Sequence, residues 1–164
     1  MLTKKENLQE TIHGGNPDRF VNQYEYLSLI PDPTMLAGMG DVSKGHDCVN
    51  GWGVTIRFPE YVPGPFPDTN GDLKVVKDAA DWQKYVKAPP VHFPEEAWKP
   101  FIEMAEKVDP KDHFVASMTA PGIFEKLHYL MGMEDAMMAF YEEPEAMHEL
   151  IDYLADYEIS AAKE

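Results

Sequence analysis

Arg19-Phe-Val-Asn-Gln-Tyr-Glu-Tyr-Leu27 decides how the rest of the chain is read. Entered through the Asn16-Pro17 turn and rich in aromatic and β-branched side chains, it predicts the first core strand. Downstream, His113-Phe-Val-Ala-Ser-Met-Thr119 is the second strand candidate, broken by Pro121-Gly122. Upstream, Thr3 and Glu6 have capping-box spacing, and Leu8 and Ile12 then share a helical face before Gly14-Gly15 stop the helix. No Gly-x-Gly-x-x-Gly follows a strand, so the two glycines are not read as a phosphate loop.

Between the two strands the pattern is mostly helical or irregular. Six prolines fall between Pro31 and Pro67, which makes 31–76 an irregular excursion. Within it Gly53–Phe58 and Asp72–Val76 are expected to pair as an appended hairpin, with Thr69-Asn70-Gly71 supplying the turn. Asp78 opens a helix carrying Trp82, Tyr85 and Val86 on one face, ended by Pro89-Pro90. Trp98, Ile102, Ala105 and Val108 mark another, which Pro100 starts late or kinks. Three helices follow the second strand: Ile123 to Met131, Glu134 to Tyr141, and Pro144 to about Ala161. In the last, Met147, Leu150, Ile151, Leu154 and Tyr157 repeat at helical spacing, and Pro144 suits a first helical position.

This order suggests the opening of an α/β fold with parallel strands. Two strands cannot complete an eight-strand barrel, and the chain ends on an amphipathic helix where a further strand would be due. The 164 residues are therefore expected to be part of a larger domain.

Charge and cysteine content exclude several functions. With 29 acidic and 14 basic residues the net charge is −15, so neither nucleic acid nor an anionic membrane is an expected partner. One cysteine, Cys48, allows no internal disulfide and no multi-cysteine zinc site, and Met1–Glu10 lacks the apolar run of a signal peptide. A cytoplasmic location is expected.

Several segments together resemble the uroporphyrinogen decarboxylase superfamily. They are Leu2-Thr-Lys-Lys-Glu6 with Gly14-Gly-Asn-Pro-Asp-Arg19, Gly51-Trp-Gly-Val-Thr55, Val75-Val-Lys-Asp78 with Trp82, Ala120-Pro-Gly-Ile-Phe-Glu125, Met131-Gly-Met-Glu134 and Glu143-Pro-Glu-Ala-Met147. The resemblance implies the N-terminal half of a distorted (β/α)8 barrel, with residues 1–164 as a partial domain and 31–76 as an excursion within it. Barrel active sites lie at the carboxyl ends of strands. The residues so implicated are Asn22, Gln23 and Glu25 after the first strand, and Ser117, Thr119 and the turn containing Gly122 after the second.

The superfamily holds both decarboxylases and corrinoid-dependent methyltransferases. The decarboxylases resemble one another in an Arg-Gln-Ala-Gly-Arg stretch whose guanidiniums meet a polycarboxylate substrate, and in a Phe-Ser-Asp motif. Here the corresponding stretch is Asn22-Gln-Tyr-Glu-Tyr26, Phe-Ser-Asp is missing, and Arg19 and Arg57 are the only arginines. The methyltransferase branch fits better, because a methoxylated arene or similar donor is largely neutral and suits aromatic walls such as Tyr24 and Trp52. It implies a small-molecule substrate, a corrinoid carried by a partner protein, and zinc only through ligands in a C-terminal half. Porphyrinogen decarboxylation and a stand-alone binding module are the alternatives. A half barrel would also meet its complement, or associate with itself, through exposed edges.

Glu25 is the candidate proton-transfer or substrate-positioning group if it is buried among Phe20, Tyr24 and Tyr26, where desolvation would raise its pKa. A salt-bridged rim residue is the other reading. Asn22 and Gln23 offer amide contacts to a substrate oxygen, or simply satisfy backbone. Asp47 is a second candidate carboxylate, because the family's segment before Trp52-Gly53 also carries an acid; a solvated loop carboxylate is the alternative. His46-Asp-Cys48 spells His-x-Cys but has no second cysteine, so it reads as a loop and no metal site is assigned. His113 and His128 read as ordinary histidines. Met131, Met133, Met137 and Met138 have helical spacing and are expected in the core.

Overall fold

The computed structural model describes residues 1–164, which divide into two compact units. The first comprises Met1–Asp32 and Pro94–Met118, the second Pro33–Phe93 and Thr119–Glu164. Together they form a mixed α/β molecule with small sheets.

In the first unit, α1 (Lys4–Ile12) starts on the expected capping box. The Thr3 hydroxyl accepts from the Glu6 backbone N–H at 3.1 Å, and the Glu6 carboxylate accepts from the Thr3 N–H at 2.8 Å. Strand β1 occupies Leu27–Leu29, beginning only where the expected 19–27 strand was to end. The upstream residues instead turn, because Glu25 captures Arg19 and the Asn22 N–H, and Tyr24 sits at φ 63°. β1 pairs in parallel with a strand at Phe114–Ala116, Leu27 opposite Phe114 and Leu29 opposite Ala116. That strand lies within the expected 113–119 stretch. A helix at Glu95–Glu106 carries Pro100 inside it and fully buries none of its residues; on its amphipathic face Trp98 is half-buried and Ile102 exposed. Asn7 is the one buried residue of this unit, held by hydrogen bonds to the Leu2 and Thr3 carbonyls.

The second unit contains the apolar core. Its helix α2 (Pro33–Met39) leads to the antiparallel strands β2 (Cys48–Val49), β3 (Thr55–Arg57) and β4 (Phe66–Pro67), ordered β2-β3-β4. The expected partner of Gly53–Phe58 was Asp72–Val76; Phe66–Pro67 pairs there instead, and Gly71–Leu73 is a short 3-10 helix. Far from being an appendage, the ribbon sends Val54 and Ile56 into the core, where Trp52 and Val76 join them. Asp78 caps as expected, accepting from the Ala80 N–H, but the helix it opens, Ala79–Lys84, is 3-10. In chain order the first unit supplies α3 (Glu95–Glu106) and β5 (Phe114–Ala116), and the second unit then closes with α4 (Ile123–Met131), α5 (Met133–Glu142) and α6 (Pro144–Ala161). Met147, Leu150 and Leu154 of α6 are fully buried against Leu127, Leu130 and Met131 of α4 and Ala136 and Ala139 of α5. No helix is long and apolar enough to cross a membrane.

The Asn50 turn aligns this core. Its side-chain oxygen accepts from the N–H groups of Trp52 and Val54, both at 3.0 Å, while Gly53 takes φ +81°. A Cβ at Gly51 would run into the Ala37 carbonyl, so only glycine lets the turn approach α2 this closely.

Candidate functional site

At the carboxyl ends of the parallel strands stands a hydroxyl–carboxylate pair. β5 delivers Ser117 immediately after Ala116, and β1 runs through Ile30, whose N–H donates to the Ala116 carbonyl at 2.9 Å, towards Asp32. The Ser117 hydroxyl donates to the Asp32 carboxylate across 85 residues of sequence. Sequence reasoning singled out Ser117 and missed Asp32, whose only signal was its place, between two prolines, just after a strand. Chemically the pair is a half-buried acceptor carboxylate and an exposed hydroxyl oriented by it, whose oxygen can still accept from a polar group of a ligand.

Glu25 is not the buried acid the aromatic surroundings suggested. Phe20 and Tyr24 are exposed, and the Glu25 carboxylate accepts from Arg19 Nη1 at 2.5 Å, the Asn22 N–H at 2.9 Å and the Asn22 amide at 3.4 Å. The Arg19 hydrogen bond, then that from Asn22, lowers its pKa from 4.5 to about 2. An acid so strong carries no proton near neutrality, so a pKa raised by desolvation is corrected to one lowered by pairing. Glu25 is the salt-bridged rim residue of the second reading. Asn22 serves this cluster, and Gln23 is exposed beside it.

Asp47, Trp52, Thr119 and Gly122 belong to the second unit. Asp47 is exposed and accepts from Arg57 Nη1 at 2.6 Å; the same guanidinium donates through Nε to the buried Asp68. Asp68 also accepts from the Asn70 backbone and amide, and Arg57 followed by Asn70 holds its carboxyl below the usual range. Asp47 is thus one arm of a clamp on the β2–β3–β4 ribbon. Gly122 precedes α4, its carbonyl accepting from the Lys126 N–H at 2.9 Å, and Thr119 is exposed.

Trp52 is buried, and its ring meets Tyr157 edge-on at 4.8 Å. Beside them lies the buried lysine of the molecule, Lys126, which sequence reasoning passed over. Its ammonium donates to Glu158 at 2.6 Å and sits 5.8 Å from the Trp52 ring and 5.7 Å from Tyr157. A cavity of about 10 Å³ adjoins it, bounded by Asn50, Pro121 and Tyr129, with room for no more than a water molecule. This is a structural ion pair, not a ligand pocket.

His46-Asp-Cys48 makes no metal centre. His46 is exposed, Cys48 stands on β2, and burial followed by the charges of Asp41 and Asp47 pushes its thiol pKa up, away from the thiolate a metal needs. No group of three or more His, Cys, Asp or Glu side chains is gathered for a metal ion.

A cleft of about 350 Å³ lies in the second unit, floored by Val76, Met131 and Ala139 and edged by Glu134, Met138 and Glu142. No protein-family model, curated protein or solved structure matches the chain.

Proposed function

We propose that the chain is the N-terminal half of a (β/α)8-barrel methyltransferase related to the uroporphyrinogen decarboxylase superfamily, moving a methyl group from a small neutral donor to a corrinoid on a partner protein. One observation carries this reading: the parallel pair β1–β5 belongs to a unit that buries no apolar side chain. Parallel strands are found with both faces covered, so a two-stranded parallel sheet with Leu29 and Val115 exposed calls for further strands and helices.

The arginines support the methyltransferase branch over decarboxylation. Arg19 is taken by Glu25, and Arg57 by Asp47 and Asp68, which leaves no guanidinium for a polycarboxylate. The residues do not fit zinc, for the reasons given for His46 and Cys48. A corrinoid would arrive on its carrier and supply the methyl-accepting centre. This chain would contribute donor binding at the carboxyl ends of the strands, where Ser117, its proton held by Asp32, offers its oxygen as acceptor to a hydroxyl carried by the donor.

The stand-alone module is favoured by a different feature, the closed core of the second unit. One experiment separates the readings. The reading frame is followed past Glu164, and the whole product is given cob(I)alamin and a methoxyarene while methylcobalamin formation is followed by absorbance. Donor-dependent conversion that drops with Ser117→Ala is expected. A stop codon after Glu164, or porphyrinogen decarboxylation in place of methyl transfer, would overturn the proposal.

A further inference from the structure

The methionines of α5, expected in the core, are mostly outside it. Met131 in α4 is buried, but Met133, Met137 and Met138 are 50, 56 and 51 % exposed. Met133, Met137, Phe140 and Tyr141 follow i, i+4, i+7 and i+8, so they form one continuous outward stripe, with Tyr141 92 % exposed. Ala136 and Ala139 carry the inward contacts. A solvated helix would present charge here; an exposed stripe of large apolar groups marks a binding surface.

Its surroundings select the occupant. Glu134 stands beside Tyr141 at the border of the stripe, and the exposed Met138 carries the apolar surface on from there to Glu142; Glu134, Met138 and Glu142 edge the 350 Å³ cleft, with Glu143 at its end. Lys74 answers Asp135, and Lys77 is taken by Asp72, but no lysine or arginine bridges Glu134, Glu142 or Glu143. A second copy of this chain would bring the same carboxylates, on a body of net charge −15, against them.

We propose that the outer face of α5 docks a basic amphipathic helix of a partner protein, its apolar side on the methionine stripe and its lysines or arginines on the carboxylates. Methionine suits the task, being flexible, unbranched and able to mould to a helix of varied side chains. The proposal uses no residue of the strand ends, and binding is measured on the whole product of the reading frame as well as on the 164-residue chain. Binding by the short chain that the whole product lacks would assign the face to the rest of the barrel and overturn the proposal without touching the methyltransferase reading.

The probe is a fluorescein-labelled peptide of about 16 residues made of leucine and lysine, with leucines at i, i+3, i+4 and i+7. A second peptide of the same composition has its leucines scattered. Anisotropy titrations with the 164-residue chain are expected to show the patterned peptide binding at least about tenfold more tightly, with affinity falling as salt rises. Met137→Glu and Glu142→Lys should each weaken it by about tenfold or more, with unchanged circular dichroism and melting. Equal binding of both peptides would reduce the effect to net charge and overturn the proposal, as would the absence of binding. A dimer in sedimentation that Met137→Glu dissolves would assign the face to a second copy and overturn it as well.

Discussion

Arg19 and Glu25 show how one pair of side chains redirects a segment. By composition 19–27 is a strand, yet a carboxylate that collects a guanidinium and a backbone N–H six and three residues upstream closes a turn. The folded pKa of Glu25, about 2, lies below its unfolded value of 4.5. What the pair contributes is therefore fully present above pH 4.5 and is lost as pH falls from 4.5 towards 2. Carbon-detected NMR titration of Glu25 should find its midpoint near 2 and, in Arg19→Met, a midpoint shifted towards 4.5. Glu25→Gln should flatten the acid limb of the unfolding curve in that window. An unshifted midpoint in Arg19→Met would refute the assignment of Arg19 as the main cause.

Among elements, the local signals were legible and the non-local ones were not. Thr3 with Glu6, Asp78 before Ala80, and Pro144 at the head of α6 act within one helical turn, and each lies where the sequence put it. The partner of β3 depends on chain closure across many residues, and Phe66–Pro67 took the place expected for Asp72–Val76. Helical periodicity located the α5 face but could not tell what covers it, so Met133 and Met137 were expected inside. Of the candidate site, Ser117 was legible from its place after a strand, while Asp32 emerges only once β1 and β5 are paired. Lys126 is another such case, since its burial between α4 and α6 follows from how those helices meet. Lys126→Met, which strands the Glu158 carboxylate a quarter exposed, should cost about 1–3 kcal/mol in urea unfolding. Adding Glu158→Leu should return at least half of that, and a strictly additive double variant would argue against the pair.

At the scale of the whole molecule the apolar core is distributed unevenly. Every member of the buried cluster, from Trp52 to Leu154, belongs to the second unit, whereas the first rests on surface hydrogen bonds and a two-stranded sheet. Amide hydrogen exchange should therefore divide the chain. Amides of Leu27–Leu29 and Phe114–Ala116 are expected to exchange orders of magnitude faster than those of Leu150 and Leu154, because opening them exposes little apolar surface. Equal protection in both would contradict this account and weaken the proposal of a barrel half awaiting its complement.

The tyrosines of α6 give this division an optical counterpart. Tyr153 lies 5.2 Å from the Trp82 ring and Tyr157 4.8 Å from Trp52, so one turn of one helix sits beside two of the three indoles, both sealed from water. Trp98, half-buried in α3, is the third. Emission from the protein is accordingly sorted by unit: its bluer part reports whether α6 is seated, and its redder, more easily quenched part reports on the strands' half of the chain.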